Sequence, residues 1–134
     1  MKAIASQNDA RFIHRLRIRD HELIVDEPAE QGGDDEGPNP QELLAASLAS
    51  CTAITMEMYA KRKGWEIAPI EVECEYTPAQ RDAPTIFNLT LRLPGTCDDE
   101  QVERLKVIAA KCPVHRTLEG DVVFRERVER VDAS

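Results

Sequence analysis

At 134 residues, with 31% charged and 42% hydrophobic side chains, the chain has the size and balance of one soluble globular domain, 1–134. A formal net charge of −8 and a pI near 4.9 would repel a phosphate backbone, which argues against nucleic acid as a partner. Aromatic residues are only 4%, so the interior must be built from Leu, Ile, Val, Ala and Met, and "MKAIASQNDA" has no apolar segment of the kind that marks a secretory signal.

From the N-terminus, "FIHRLRIRDHELIVDEP" reads as two short strands around a turn at Arg19 to His21. Leu16 and Ile18 alternate with arginines, and Leu23 and Val25 follow on one face. The acidic Gly/Pro stretch "DEPAEQGGDDEGPNP", 26–40, reads as a linker. In "NPQELLAASLASCTAITMEMYAKRKGW" Asn39 can cap a helix, Pro40 suits its first position and Glu42 completes a capping box. Lys61, Arg62 and Lys63 fall in its last turn, where the helix dipole favours cations, and Gly64 can end it. Between Gln41 and Ala60 the only charges are Glu42 and Glu57, which predicts a central helix buried on most sides. Its uncharged run, 43–56, is too short and too rich in Ser and Thr for a membrane span, so no membrane association is expected.

"IEVECEYT" sets Ile70, Val72, Cys74 and Tyr76 opposite three glutamates, and "FNLTLRL" alternates in the same way until Pro94 and Gly95. "DDEQVERLKVIAAKC" carries a helical stripe of Val102, Leu105, Ala109 and Cys112, with Ile108 beside it, and "DVVFRERVERV" reads as a closing strand. The order ββ–α–ββ–α–β defines an α+β class with antiparallel pairing.

Four cysteines without a signal segment point to free thiols in a reducing compartment, the cytoplasm, rather than to a disulfide framework. Cys74 falls on the apolar face of its strand and reads as packing, and Cys97 has no assigned role. Cys51 lies mid-helix, where core filler and reactive thiol both fit. Cys112, followed by Pro113, can cap a fresh short helix from Pro113 to about Leu118, whose first N–H groups would favour a thiolate. His115 stands three residues on. "CPVH" is also a C-x-x-H half-site for zinc, but no second half-site accompanies it, and neither a metal nor a cofactor is expected.

"GPNPQELLAASLASCTAITMEMYAKRKGW", with its central cysteine, and "AAKCPVHRTLEGDV" together resemble the OsmC/Ohr family of osmotically induced and organic-hydroperoxide-resistance proteins, from about Leu23 onward. The likeness is nearer to the general OsmC-like branch. It implies an α+β OsmC-like fold in which antiparallel sheets wrap central helices in an intertwined homodimer. It also implies a thiol-dependent peroxidase that reduces organic hydroperoxides through a peroxidatic Cys51 and a resolving Cys112, with a dithiol as reductant. A non-catalytic small-molecule-binding protein of the same fold is the alternative. Leu44, Leu48, Met56 and Met58 are then candidates to line an alkyl pocket, as well as core residues.

In the family an acidic residue near the start of the central helix pairs with an N-terminal arginine that activates the thiolate. Aligned on "NP" and the cysteine, that position is Gln41, with Glu42 next to it, and the arginine falls among Arg11, Arg15 and Arg17. The candidate catalytic residues are Cys51, Cys112, Glu42 and Arg15.

Overall fold

Strand alternation at the N-terminus builds the first layer. In a computed structural model, which describes residues 1–8 and 11–132, β1 (Ile4–Gln7), β2 (His14–Ile18) and β3 (His21–Val25) form an antiparallel sheet in the order β1-β2-β3. Leu16 stands opposite Leu23 and His14 opposite Val25, so the expected hairpin is present, with Arg19 taking the positive φ of its turn. β1 is a third strand that the pattern did not announce. All four of its residues are exposed, and it joins β2 through main-chain pairing with Ile4 opposite Arg17.

The acidic stretch after β3 is not a free linker. Asp26, only 1% exposed, accepts hydrogen bonds from the N–H groups of Glu27 (2.7 Å), Asp34 (3.1 Å) and Glu36 (3.1 Å). Burial pushes its carboxyl upward, but these bonds, from Glu36, Glu27 and Asp34, together with the Arg11 charge, outweigh that and hold it below the ordinary carboxylate range. The glycines follow from the same closeness. A Cβ on Gly33 would sit 1.9 Å from the Glu27 carbonyl oxygen, and one on Gly37 would sit 2.3 Å from that of Ile24.

α1 (Pro40–Arg62) starts as its sequence dictates. Asn39 Oδ1 accepts from Glu42 N at 2.8 Å and Glu42 Oε1 accepts from Asn39 N at 2.9 Å. The expectation that α1 is buried on most sides needs correcting. Leu48, Thr52, Met56, Tyr59 and Ala60 form one buried stripe, while Ile54 and Met58 on another face are 49% and 63% exposed. The reason is coverage: β4 (Glu71–Thr77), α2 (Asp99–Ala109) and α3 (Pro113–Glu119) pack on one side of the helix and leave the rest open. By length and composition alone α1 could cross a membrane, but β4, α2 and α3 pack on it.

β4 pairs antiparallel with β5 (Ile86–Arg92) to form a separate two-stranded sheet. Val72 faces Leu91, Cys74 faces Leu89, and the rings of Tyr76 and Phe87 stack 4.8 Å apart. On the other face Arg92 bonds Glu71 at 3.0 Å and Glu73 at 2.9 Å. α2 opens with a capping box between Asp98 and Gln101 and buries Leu105, Ile108 and Ala109. The core unites Met56 and Tyr59 of α1 with Leu105, Ile108 and Ala109 of α2, and Trp65, Val72 and Leu91 pack around it.

The closing strand expected over "DVVFRERVERV" is absent within the chain. Residues 121–132 form no strand, and Val122, Val123, Phe124, Val128 and Val131 are 56–91% exposed. A strand needs a neighbouring edge for its N–H and C=O groups, and this segment pairs with none in its own chain.

Leu105 is fully buried between the two long helices. Leu105→Ala should therefore lower unfolding stability by about 2–5 kcal/mol, read from the midpoint shift in a denaturant titration.

Candidate active site

Two helices bring the site together. Cys51 occupies the middle of α1, half-buried, where its sulfur opens on a cleft of about 1020 Å³. Ile54, Met58, Pro113 and Val114 give this cleft an apolar wall, and Lys61 and Arg62 stand at one end. Cys112 follows α2 after a tight turn, closed by the Lys111 N–H to the Ile108 carbonyl at 2.9 Å, and is completely buried. As expected, Cys112 is the N-cap of a short helix, α3, with Pro113 at its first position.

The sulfur of Cys112 collects donors. It accepts from His115 N at 3.3 Å; the Thr52 oxygen lies 3.8 Å from it, with its one hydrogen given to the Leu48 carbonyl at 2.8 Å. Cys51 stands near enough for the two thiols to shift one another, and the Val114 N–H acts on both sulfurs. Burial pushes the Cys112 thiol up, but the hydrogen bonds from Cys51, His115, Thr52 and Val114 outweigh that and leave it below the ordinary thiol value. Cys51 moves the other way. Burial raises it most, the Val114 N–H opposes that, the neighbouring Cys112 adds to the rise, and Thr55 lowers it by less. The two differ in access: Cys51 is the sulfur a reactant meets, and Cys112 is closed to solvent.

The other candidate residues are placed elsewhere in the chain. Glu42 has its carboxylate on the Asn39 N–H, and nine helical positions separate it from Cys51, about 13.5 Å and half a turn around the axis. Arg15 lies 3.9 Å from Glu22 across the β2–β3 hairpin, with both side chains more than half exposed. Arg11 donates to the Gly32 carbonyl at 3.2 Å and pairs with Asp34 at 3.6 Å, so it ties down the loop before α1. The expected alkyl lining is also redistributed. Met58 lines the Cys51 cleft and Met56 is core, whereas Leu44 and Leu48 border a second cleft with Phe87, Leu89 and His115.

His115 turns its Nε2 to Glu119 Oε1 at 2.6 Å, leaving Nδ1 buried without a partner. Among the described residues no three His, Cys, Asp or Glu side chains converge as a metal would require. Sequence reading passed over Thr52, Thr55 and Val114. The signal for Thr55 was available, because a residue four positions after Cys51 shares its helix face. Thr52 and Val114 are brought in only by the packing of α3 on α1.

With this fold and this cysteine pair in view, the class of protein is clear. The family model described as OsmC-like protein matches residues 33–127, and the chain belongs to that family. No curated protein matches it in sequence. An OsmC-like protein of Mycoplasma pneumoniae has a similar structure, with a TM-score of 0.74 at 17% identity over 89% of this chain and 86% of that one. So does the organic hydroperoxide resistance protein OsmC of Legionella pneumophila, with a TM-score of 0.65 at 21% identity over 90% of each chain. The organic hydroperoxide resistance protein OhrB of Bacillus subtilis gives a TM-score of 0.60 at 25% identity, also over 90% of each.

Access predicts an order of modification. Under native conditions a bulky maleimide should label Cys51, Cys74 and Cys97 before Cys112, as followed by peptide mass spectrometry over time.

Proposed function

We propose that this chain is a cytoplasmic, homodimeric thiol peroxidase that reduces organic hydroperoxides with electrons from an external dithiol. The observation that carries this reading is the placement of a half-buried Cys51 in an apolar cleft walled by Pro113 and Val114, the residues that follow the buried Cys112. Family membership and the resemblance to proteins named for organic hydroperoxide resistance support it.

In this reading the alkyl part of the substrate lies along Ile54, Met58 and Val114, with its terminal peroxide oxygen at Cys51. The Cys51 sulfur, as thiolate, attacks that oxygen. An S–O bond forms, the O–O bond breaks, and the alkoxide leaves and is protonated to the alcohol. Cys112 attacks the resulting sulfenic acid, forming a disulfide and releasing the oxygen as water. A dithiol then restores both thiols by exchange. Neither Glu42 nor Arg15 is assigned a step, since the Asn39 N–H and Glu22 occupy them. The raised Cys51 thiol favours one rival, a binding protein that uses the cleft without turnover.

With dithiothreitol as donor, wild type should consume cumene hydroperoxide catalytically. Cys51→Ser should fall to the uncatalysed rate and Cys112→Ser should slow. One equivalent of peroxide should give a 51–112 disulfide with Cys74 still reduced, by mass spectrometry. Absence of turnover in wild type would leave the binding reading in its place.

What supports the homodimer is the apolar surface left uncovered: Ile54 and Met58 on α1, and the apolar side chains of segment 121–132. Analytical ultracentrifugation should show a dimer, and Phe124→Asp should shift it toward monomer.

A further inference from the structure

We propose, on the peroxidase reading above, that the reducing dithiol enters by the same cleft as the peroxide and attacks the Cys51 sulfur of the 51–112 disulfide, with Cys112 as the leaving group. Three placements support this. Cys51 is half-buried and lines the cleft of about 1020 Å³, so its sulfur is within reach of a thiol that enters there. Cys112 has no exposed surface, and the Thr52 oxygen 3.8 Å from its sulfur is itself fully buried. The His115 N–H points at the Cys112 sulfur from 3.3 Å. Thiol–disulfide exchange depends on access to the sulfur attacked and on how well the departing sulfur bears its charge, and both favour the same direction here. An N–H already aimed at the Cys112 sulfur stabilises the charge as it develops there.

The cleft on the other side of α3 gives no second entrance to the pair. It is walled by Leu44, Leu48, Phe87 and Leu118 and ends on His115 and Glu119, which bond one another at 2.6 Å, rather than on either sulfur. Pro113 and Val114 face the Cys51 cleft instead, so α3 stands between the two openings. Peroxide and dithiol therefore use one mouth in turn, and each is excluded while the other is bound.

The exchange balances. A thiolate of the dithiol attacks the Cys51 sulfur, and its S–S bond to Cys51 forms as the Cys51–Cys112 bond breaks. The electron pair leaves with Cys112, which takes up the proton released when the first thiol ionised. The second thiol of the same molecule ionises to solvent and attacks the reductant sulfur that is bonded to Cys51. A cyclic disulfide departs, and the electron pair stays on Cys51, which is a thiolate again. Two electrons have then passed from the dithiol to the cysteine pair. Cys112 changes partner without being met by the reductant at either step.

The test starts from wild-type protein oxidised in parallel with cumene hydroperoxide and with diamide, with Cys74 and Cys97 then blocked by iodoacetamide. A short exposure to mercaptoethanol, which as a monothiol stops at the mixed disulfide, is quenched with acid, and the freed thiol is labelled with a maleimide. Peptide mass spectrometry should find mercaptoethanol on Cys51 and maleimide on Cys112. Mercaptoethanol on Cys112, or on both alike, overturns the proposal. Met58→Trp, which narrows the mouth at an exposed position, should slow both peroxide consumption and reduction of the disulfide by dithiothreitol. Disulfide reduction at the wild-type rate in that variant overturns the shared entrance. A 51–112 disulfide that diamide forms and peroxide does not removes the peroxidase reading, and the site of thiol attack is still read from the diamide sample. If neither oxidant forms it, the reading and the proposal fall together.

Discussion

The packing of α3 on α1 is the constraint on which the rest of the architecture depends. Cys51 and Cys112 are 61 positions apart, and they become neighbours only because α3 packs on α1 with Cys112 as its N-cap. That placement follows from the core: Met56 and Tyr59 lock against Leu105, Ile108 and Ala109, and the tight turn after Ile108 delivers Cys112 to the middle of α1. A well-packed interior transmits small displacements rather than absorbing them, so the spacing of the sulfurs is as firm as the helix–helix packing beneath it.

Placing two thiols together in a half-dry setting has chemical consequences that neither has alone. Burial disfavours a charge on each, and contact forbids a charge on both, so hydrogen bonds decide the outcome. The His115 N–H serves Cys112, while the cleft opens on Cys51. The acidic and arginine side chains that the family resemblance led one to seek are engaged elsewhere, Glu42 on the Asn39 N–H and Arg15 with Glu22.

Features set by neighbours in sequence were legible before any coordinates. The capping box at Asn39, the two alternating strands around Cys74 and Leu89, and Cys112 as the N-cap ahead of Pro113 all follow from interactions within four residues or one strand. The acidic stretch 26–40 misled because its composition is that of a linker, whereas Asp26 ties it down by bonds that span up to ten residues. "DVVFRERVERV" misled for the opposite reason. Its alternation is that of a strand, but a strand exists only where an edge accepts it, and residues 121–132 meet none within the chain.

Sequence alone determined where most of the helices and strands begin and end, the family, and the two cysteines worth pairing, because caps, alternation and a distinctive motif are local. Tertiary structure decided that α1 buries only one stripe, that Glu42 serves a helix cap and Arg15 a hairpin, and that Thr52 and Val114 join the site. It also decided that Cys112 is sealed from solvent while Cys51 opens on a cleft. That difference depends on elements distant in sequence packing together, and no local pattern records it.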